Sequence, residues 1–209
     1  MKKYGHYNEE IDTLSSLLNN MEFSSYDERM QIEEDLKFWK ENKDFLESYV
    51  PTPPSLKIFS DTTLKCGGKT FKILFFGTAH TDNDLVVLDC EDRLLIMGDL
   101  LCLRKCYIIS SRSDAENWIA LLDHLIERQD EYDYVIPGHG GTVETVDALK
   151  EQRDYLTTLV DSVRQGCHRG FSLQQLKEEL RLEKYRDYLM YDRIGLDIDA
   201  VWQQLKGKE

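Results

Sequence analysis

The stretch that decides the fold is residues 71–100, FKILFFGTAHTDNDLVVLDCEDRLLIMGDL. Residues 71–76, 85–88 and 94–97 within it are apolar runs too short for helices, separated by polar, turn-forming residues. Near-continuous apolar runs of this kind predict strands buried on both faces. On the N-terminal side, residues 56–59 form a further run, and Cys66-Gly67-Gly68-Lys69 reads as a turn between strands. Glu91 and Asp92 are the polar connection between the runs at 85–88 and 94–97. On the C-terminal side, Ser113 with Glu116 opens a helix whose buried face is Trp118, Leu121, Leu122 and Leu125. Residues 132–136 predict the next strand, so the middle of the chain is an α/β unit.

Helices flank this unit. Tyr7, Ile11, Leu14 and Leu18 recur at helical spacing, and Ser24 and Ser25 ahead of Asp27 and Glu28 mark the start of a second helix. Its stripe is Tyr26, Met30, Leu36, Trp39, Leu46 and Tyr49, and Pro51, Pro53 and Pro54 end it. The acidic run Glu33-Glu34-Asp35 falls on its solvated side. After Gly140-Gly141 the chain reads as helical to its end. Leu149, Leu156, Val160 and Val163 share one face with Gly166 near the stop, Ser172 with Gln175 opens a short helix, and residues 196–205 form the last. The expected organisation is a helical connector over 1–50, an α/β part over 51–145 and a C-terminal helical region over 146–209.

Charge and composition narrow the function classes. The chain of 209 residues carries a formal net charge of -13, which repels phosphate backbones and anionic membrane surfaces, so neither is an expected partner. No apolar run approaches the roughly 18 residues of a membrane span. Lys2 and Lys3 lead into Asn8, Glu9, Glu10 and Asp12 instead of an apolar segment, so no signal peptide is expected. Five scattered cysteines suit reduced thiols and a cytoplasmic location.

Three polar residues each follow an apolar strand: His80 after 71–76, Asp99 after 94–97 and His139 after 132–136. Strand ends are where α/β proteins gather reactive groups. Each lies among small or turn-forming residues, in Gly77-Thr78-Ala79-His80-Thr81, Gly98-Asp99 and Pro137-Gly138-His139-Gly140-Gly141. Two imidazoles and a carboxylate suit zinc, with manganese or iron as alternatives. Asp123-His124 lies on the outer face of its helix and reads as solvated surface. Cys102 and Cys106 read as ordinary thiols, and Cys66, Cys90 and Cys167 have no sequence partner.

Gly77-Thr78-Ala79-His80-Thr81-Asp82-Asn83-Asp84, Met97-Gly98-Asp99-Leu100 and Val135-Ile136-Pro137-Gly138-His139-Gly140 resemble the later motifs of the metallo-β-lactamase superfamily. Ala79 and Asn83 stand where that family commonly has glycine. The resemblance implies a partial metallo-β-lactamase-type sandwich: the second sheet with flanking helices, plus N- and C-terminal helices. It implies that His80 completes the first zinc's histidines, that Asp99 bridges two zinc ions as the catalytic carboxylate, and that His139 serves the second. The implied activity is metal-dependent hydrolysis of a small ester, thioester, lactone or related substrate.

The family's earlier motif, His-x-His-x-Asp-His, is absent, because His6, His124 and His168 are isolated from one another. The expectation is therefore a truncated or diverged hydrolase with an incomplete metal site. The alternative is a non-catalytic, partner-binding or self-associating protein on the same half-fold. An apolar sheet face would then need a cover from a second copy, another chain or the first fifty residues.

Overall fold

The structure, a computed structural model, describes residues 7–20, 26–50, 52–106 and 108–207. The chain divides into two units, Met1–Lys57 and Ile58–Glu209. The first is a pair of packed helices, α1 (Tyr7–Asn20) and α2 (Tyr26–Ser48). Leu18 of α1 and Leu36 of α2 line one groove, and Ile32 and Leu36 are buried. Ser24 and Ser25, expected to start α2, lie outside the described residues. The stripe expected along α2 is not buried throughout: Tyr49, just past the end of the helix, is exposed, its ring 5.7 Å from that of the likewise exposed Phe45. Length explains this, because 14 residues of α1 against 23 of α2 correspond to about 21 and 35 Å of helix.

The second unit holds one sheet in the order β1 (Thr62–Cys66), β2 (Lys69–Leu74), β3 (Val86–Asp89), β4 (Leu94–Cys102), β5 (Tyr134–His139). The first four strands form an antiparallel meander. Helix α3 (Ala115–Glu127) carries the chain over to β5, which pairs parallel with β4. Helices α4 (Val146–His168), α5 (Leu173–Glu179) and α6 (Ile194–Lys206) follow, giving six helices among the described residues.

The first strand begins later than the apolar run at 56–59 suggested. Gly67 and Gly68 have φ of 58° and 82°, the conformation of a two-residue hairpin turn that pairs Cys66 with Lys69. That register pairs Thr62 with Ile73. Residues 56–59 would have to pair with residues beyond Leu74, where the chain leaves the sheet. Phe59 is accordingly exposed. The start of α3 is also displaced by one residue: Asp114, not Ser113, is the N-cap and accepts from the Asn117 amide. The capping box read at Ser172 and Gln175 is present at α5.

Strand register separates the two faces of the sheet. Lys72, Leu88, Leu95 and Val135 form a row across β2 to β5. Leu88, Leu95 and Val135 are buried in the core cluster with Trp118, Leu121, Leu122 and Leu125 of α3 and Leu149 and Leu156 of α4. On the opposite face Ile73, Val87, Ile96 and Ile136 form the neighbouring row. They lie outside that cluster, Ile73 buried and the other three half-buried.

Lys72 ends its row by reaching Glu131 at 3.2 Å, where Arg128 also binds the carboxylate at 2.6 and 2.9 Å. This ties the meander to the α3–β5 connection. Arg128 first, and Lys72 after it, hold the Glu131 carboxyl well below the usual carboxylate value of 4.5, at about 2. A carboxylate depressed in the native state stabilises the fold above its unfolded pKa and loses that contribution as the pH falls through the native one. Glu131→Gln should therefore lower the unfolding free energy by about 1 kcal/mol at neutral pH. In urea titrations the deficit should shrink as the pH falls from 4.5 towards 2.

Candidate metal centre

The site is built on an irregularity. β4 and β5 pair in register from Leu94 to Ile96, and the ladder then shifts twice, between Ile96 and Gly98 and between Gly98 and Cys102. In a regular strand, residues three apart point to opposite faces. The bulged strand instead brings the carboxylate of Asp99 and the thiol of Cys102 to one place, where β5 delivers His139. His139 Nε2 lies 3.2 Å from Asp99 Oδ1, and one donor atom from each of the three residues lies within 4.8 Å of the others. Gly138 makes the approach sterically feasible, since a Cβ there would sit 2.6 Å from Asp99 Oδ1 and from the Gly98 backbone.

The bulge strands backbone groups that a regular ladder would have satisfied. Gln152 of α4 takes both of the critical ones, donating Nε2 to the Leu100 carbonyl at 2.7 Å and accepting the Cys102 amide on Oε1 at 2.7 Å. Trp118 Nε1 adds a second donor to the Leu100 carbonyl at 3.0 Å. Gln152 is 4% exposed and Trp118 fully buried, so this clamp is shielded from water.

His80 lies on the loop leaving β2. Asp84 holds the loop by accepting the Thr81 amide at 2.6 Å and the Thr81 hydroxyl at 2.8 Å. The His80 ring meets Trp118 edge-on at 5.2 Å, and its Nδ1 lies 2.9 Å from the Ile108 carbonyl. His80 and Asp99 line one recess with Met97, Gly98 and Leu100. The ring is nevertheless outside the Asp99, Cys102 and His139 group. Of the three residues picked out from sequence, the structure joins Asp99 and His139 in direct contact and sets His80 across the recess.

Cys102 is the donor that sequence reading passed over. No spacing rule signals it, because the bulge alone makes an i, i+3 pair in a strand converge. Burial first, and the Asp99 charge second, push its thiol up to about 11. Cys106 is likewise pushed up to about 11, chiefly by burial. Asp123 and His124 are on the surface as expected, engaged by Arg153 at 3.2 Å and Arg128 at 3.1 Å. Glu33 pairs with Arg29 at 2.8 Å within α2.

The donor set fits one ion. Ligands of a tetrahedral zinc stand about 3.3 to 4 Å from one another, and a hydrolytic zinc takes three protein ligands and keeps one position open. Carboxylate, thiol and imidazole in one cluster meet that requirement with little adjustment. No other trio of His, Cys, Asp or Glu among the described residues converges in this way.

The fold is therefore a mixed sheet with helices packed on one face and the candidate donors at its strand ends. Solved structures share this fold in part. The chain is similar to the stereoselective inverting sec-alkylsulfatase Pisa1 from Pseudomonas sp., with a TM-score of 0.63 and 16% identity over 75% of this chain and 27% of that one. A double mutant of the same sulfatase gives 0.61 and 18%, over 76% of this chain and again 27% of the other. A metallo-β-lactamase from Pontibacter korlensis matches more loosely, at 0.45 and 24%, over 51% of this chain and 50% of that one. No protein-family model and no curated protein matches. The chain thus shares its fold with part of the sulfatase, and it spans about a quarter of that protein's length.

Replacing Gln152 with leucine keeps its bulk and leaves the Cys102 amide without a partner. Gln152→Leu should cost about 2 to 3 kcal/mol in chemical denaturation. Hydrogen exchange should accelerate most at the Cys102 amide.

Proposed function

We propose that the chain is a metal-dependent hydrolase of the metallo-β-lactamase type whose metal centre is half built. The observation that carries the reading is the convergence of Asp99, Cys102 and His139 at the β4 bulge. Their mixture of hard and soft donors favours zinc over manganese or iron. Asp99 and His139 supply ligands from neighbouring strands and Cys102 a thiolate from the buried side, while His80 stands outside that trio with its imidazole at the rim of the recess. When bound, the ion supplies Lewis acidity at an open coordination position, the requirement for hydrolysing an ester, thioester or lactone.

Two observations support incompleteness. The side chains of Asp99 and His139 are each 53% exposed, whereas hydrolytic metal centres work in shaped cavities that exclude bulk water. The donors for a second ion are missing among the described residues. The chain by itself is therefore expected to hydrolyse model esters poorly.

Cobalt(II) titration of the full chain tests the metal reading directly. One equivalent should bind and produce a near-ultraviolet thiolate-to-cobalt absorption, which Cys102→Ser should abolish. Asp99→Ala and His139→Ala should each weaken binding by about tenfold or more. Absence of saturable one-to-one binding rejects the proposed centre.

A further inference from the structure

His80 is oriented by a residue that lies far along the chain, on the last helix. The Ile108 carbonyl 2.9 Å from His80 Nδ1 carries no proton, so Nδ1 must donate to it. That carbonyl belongs to the peptide group whose N–H is that of Ile109. In a trans peptide the two point in opposite directions. The Ile109 N–H is anchored on Asp197 Oδ1 at 2.8 Å, and the same oxygen accepts the Ile108 N–H at 2.9 Å. Anchoring the N–H at one edge of the peptide plane therefore aims the carbonyl, at the other edge, at His80.

Asp197 is fully buried on α6. A buried carboxylate is expensive unless its oxygens are satisfied. Its second oxygen accepts the Tyr155 hydroxyl from α4 at 2.8 Å, which locks the carboxylate. From the His80 side, the Ser113 hydroxyl donates to the His80 carbonyl at 2.6 Å, so backbone and ring are both held.

We infer that Asp197 is a positioning residue: acting through the Ile108–Ile109 peptide, it fixes His80 as the Nδ1–H tautomer and leaves Nε2 as the ring's lone-pair donor. Ligand histidines are commonly set in this way by a hydrogen bond on the other ring nitrogen. The significance for catalysis rests on the reading of the recess as a metal centre, whereas the tautomer does not.

Nitrogen-15 correlation spectra of the imidazole rings in the full chain, at a pH where His80 is neutral, test this. The unmodified protein should show a protonated Nδ1 and an unprotonated Nε2 at His80. Asp197→Asn, whose amide oxygen can accept the same two N–H groups, should preserve that pattern, and Asp197→Leu should give a tautomer mixture. Tyr155→Phe cuts the carboxylate's other hydrogen bond, so it should lower stability and leave the tautomer unchanged. An Nε2–H ring in the unmodified protein overturns the inference, and that reading does not depend on whether Asp197→Leu folds. So does a pure Nδ1–H ring in folded Asp197→Leu, or scrambling by Tyr155→Phe as complete as that by Asp197→Leu. Zinc titration separates the two readings: an unmodified chain with the expected tautomer and no zinc affinity sinks the hydrolase proposal and supports this one.

Discussion

One amide side chain, Gln152, holds the bulge of β4 open, and the rest of the site follows from that clamp. A regular β4 would point Asp99 and Cys102 to opposite faces of the sheet. The bulged strand turns them together, and the ladder's lost partners are replaced by a buried side chain that offers a donor and an acceptor at once. Trp118 shares the Leu100 carbonyl and also meets the His80 ring edge-on. Helices α3 and α4 therefore do more than bury the sheet, because each sends a polar group through the core to its reactive end.

What the sequence disclosed and what it concealed divide along the same line. The contact of Asp99 with His139 is foreshadowed because each follows an apolar strand and sits beside glycine, whereas His80, which also follows an apolar strand, lies outside their group. The turn at Gly67-Gly68 and the capping box at Ser172 were visible because their chemistry is local. Cys102 was hidden because its role depends on a bulge, and bulges leave little trace in an apolar run. Gln152 and Asp197 were hidden for another reason. Each sits on an amphipathic helix where a polar residue reads as surface, and each is satisfied by partners far away in sequence, Leu100 and Cys102 for Gln152 and Ile108, Ile109 and Tyr155 for Asp197. The apolar run at 56–59 misled for want of a partner, since hairpin register is set at the turn and the second strand stops first.

The sheet presents two apolar rows of different fate. Leu88, Leu95 and Val135 meet the helices, and Val87, Ile96 and Ile136 on the reverse face stay half-buried. In a two-sheet sandwich such a row is the inner face of a layer.

The order of contacts along the chain also has a kinetic consequence. The meander from β1 to β4 closes through short loops, so its pairings carry little entropic penalty and can form early. The carboxylate that aims the Ile108 carbonyl arrives only when the chain has reached Asp197 and α6 has docked. During synthesis the sheet can thus exist before the imidazole is aimed, and the emergence of the last helix sets the moment at which the recess acquires its working geometry.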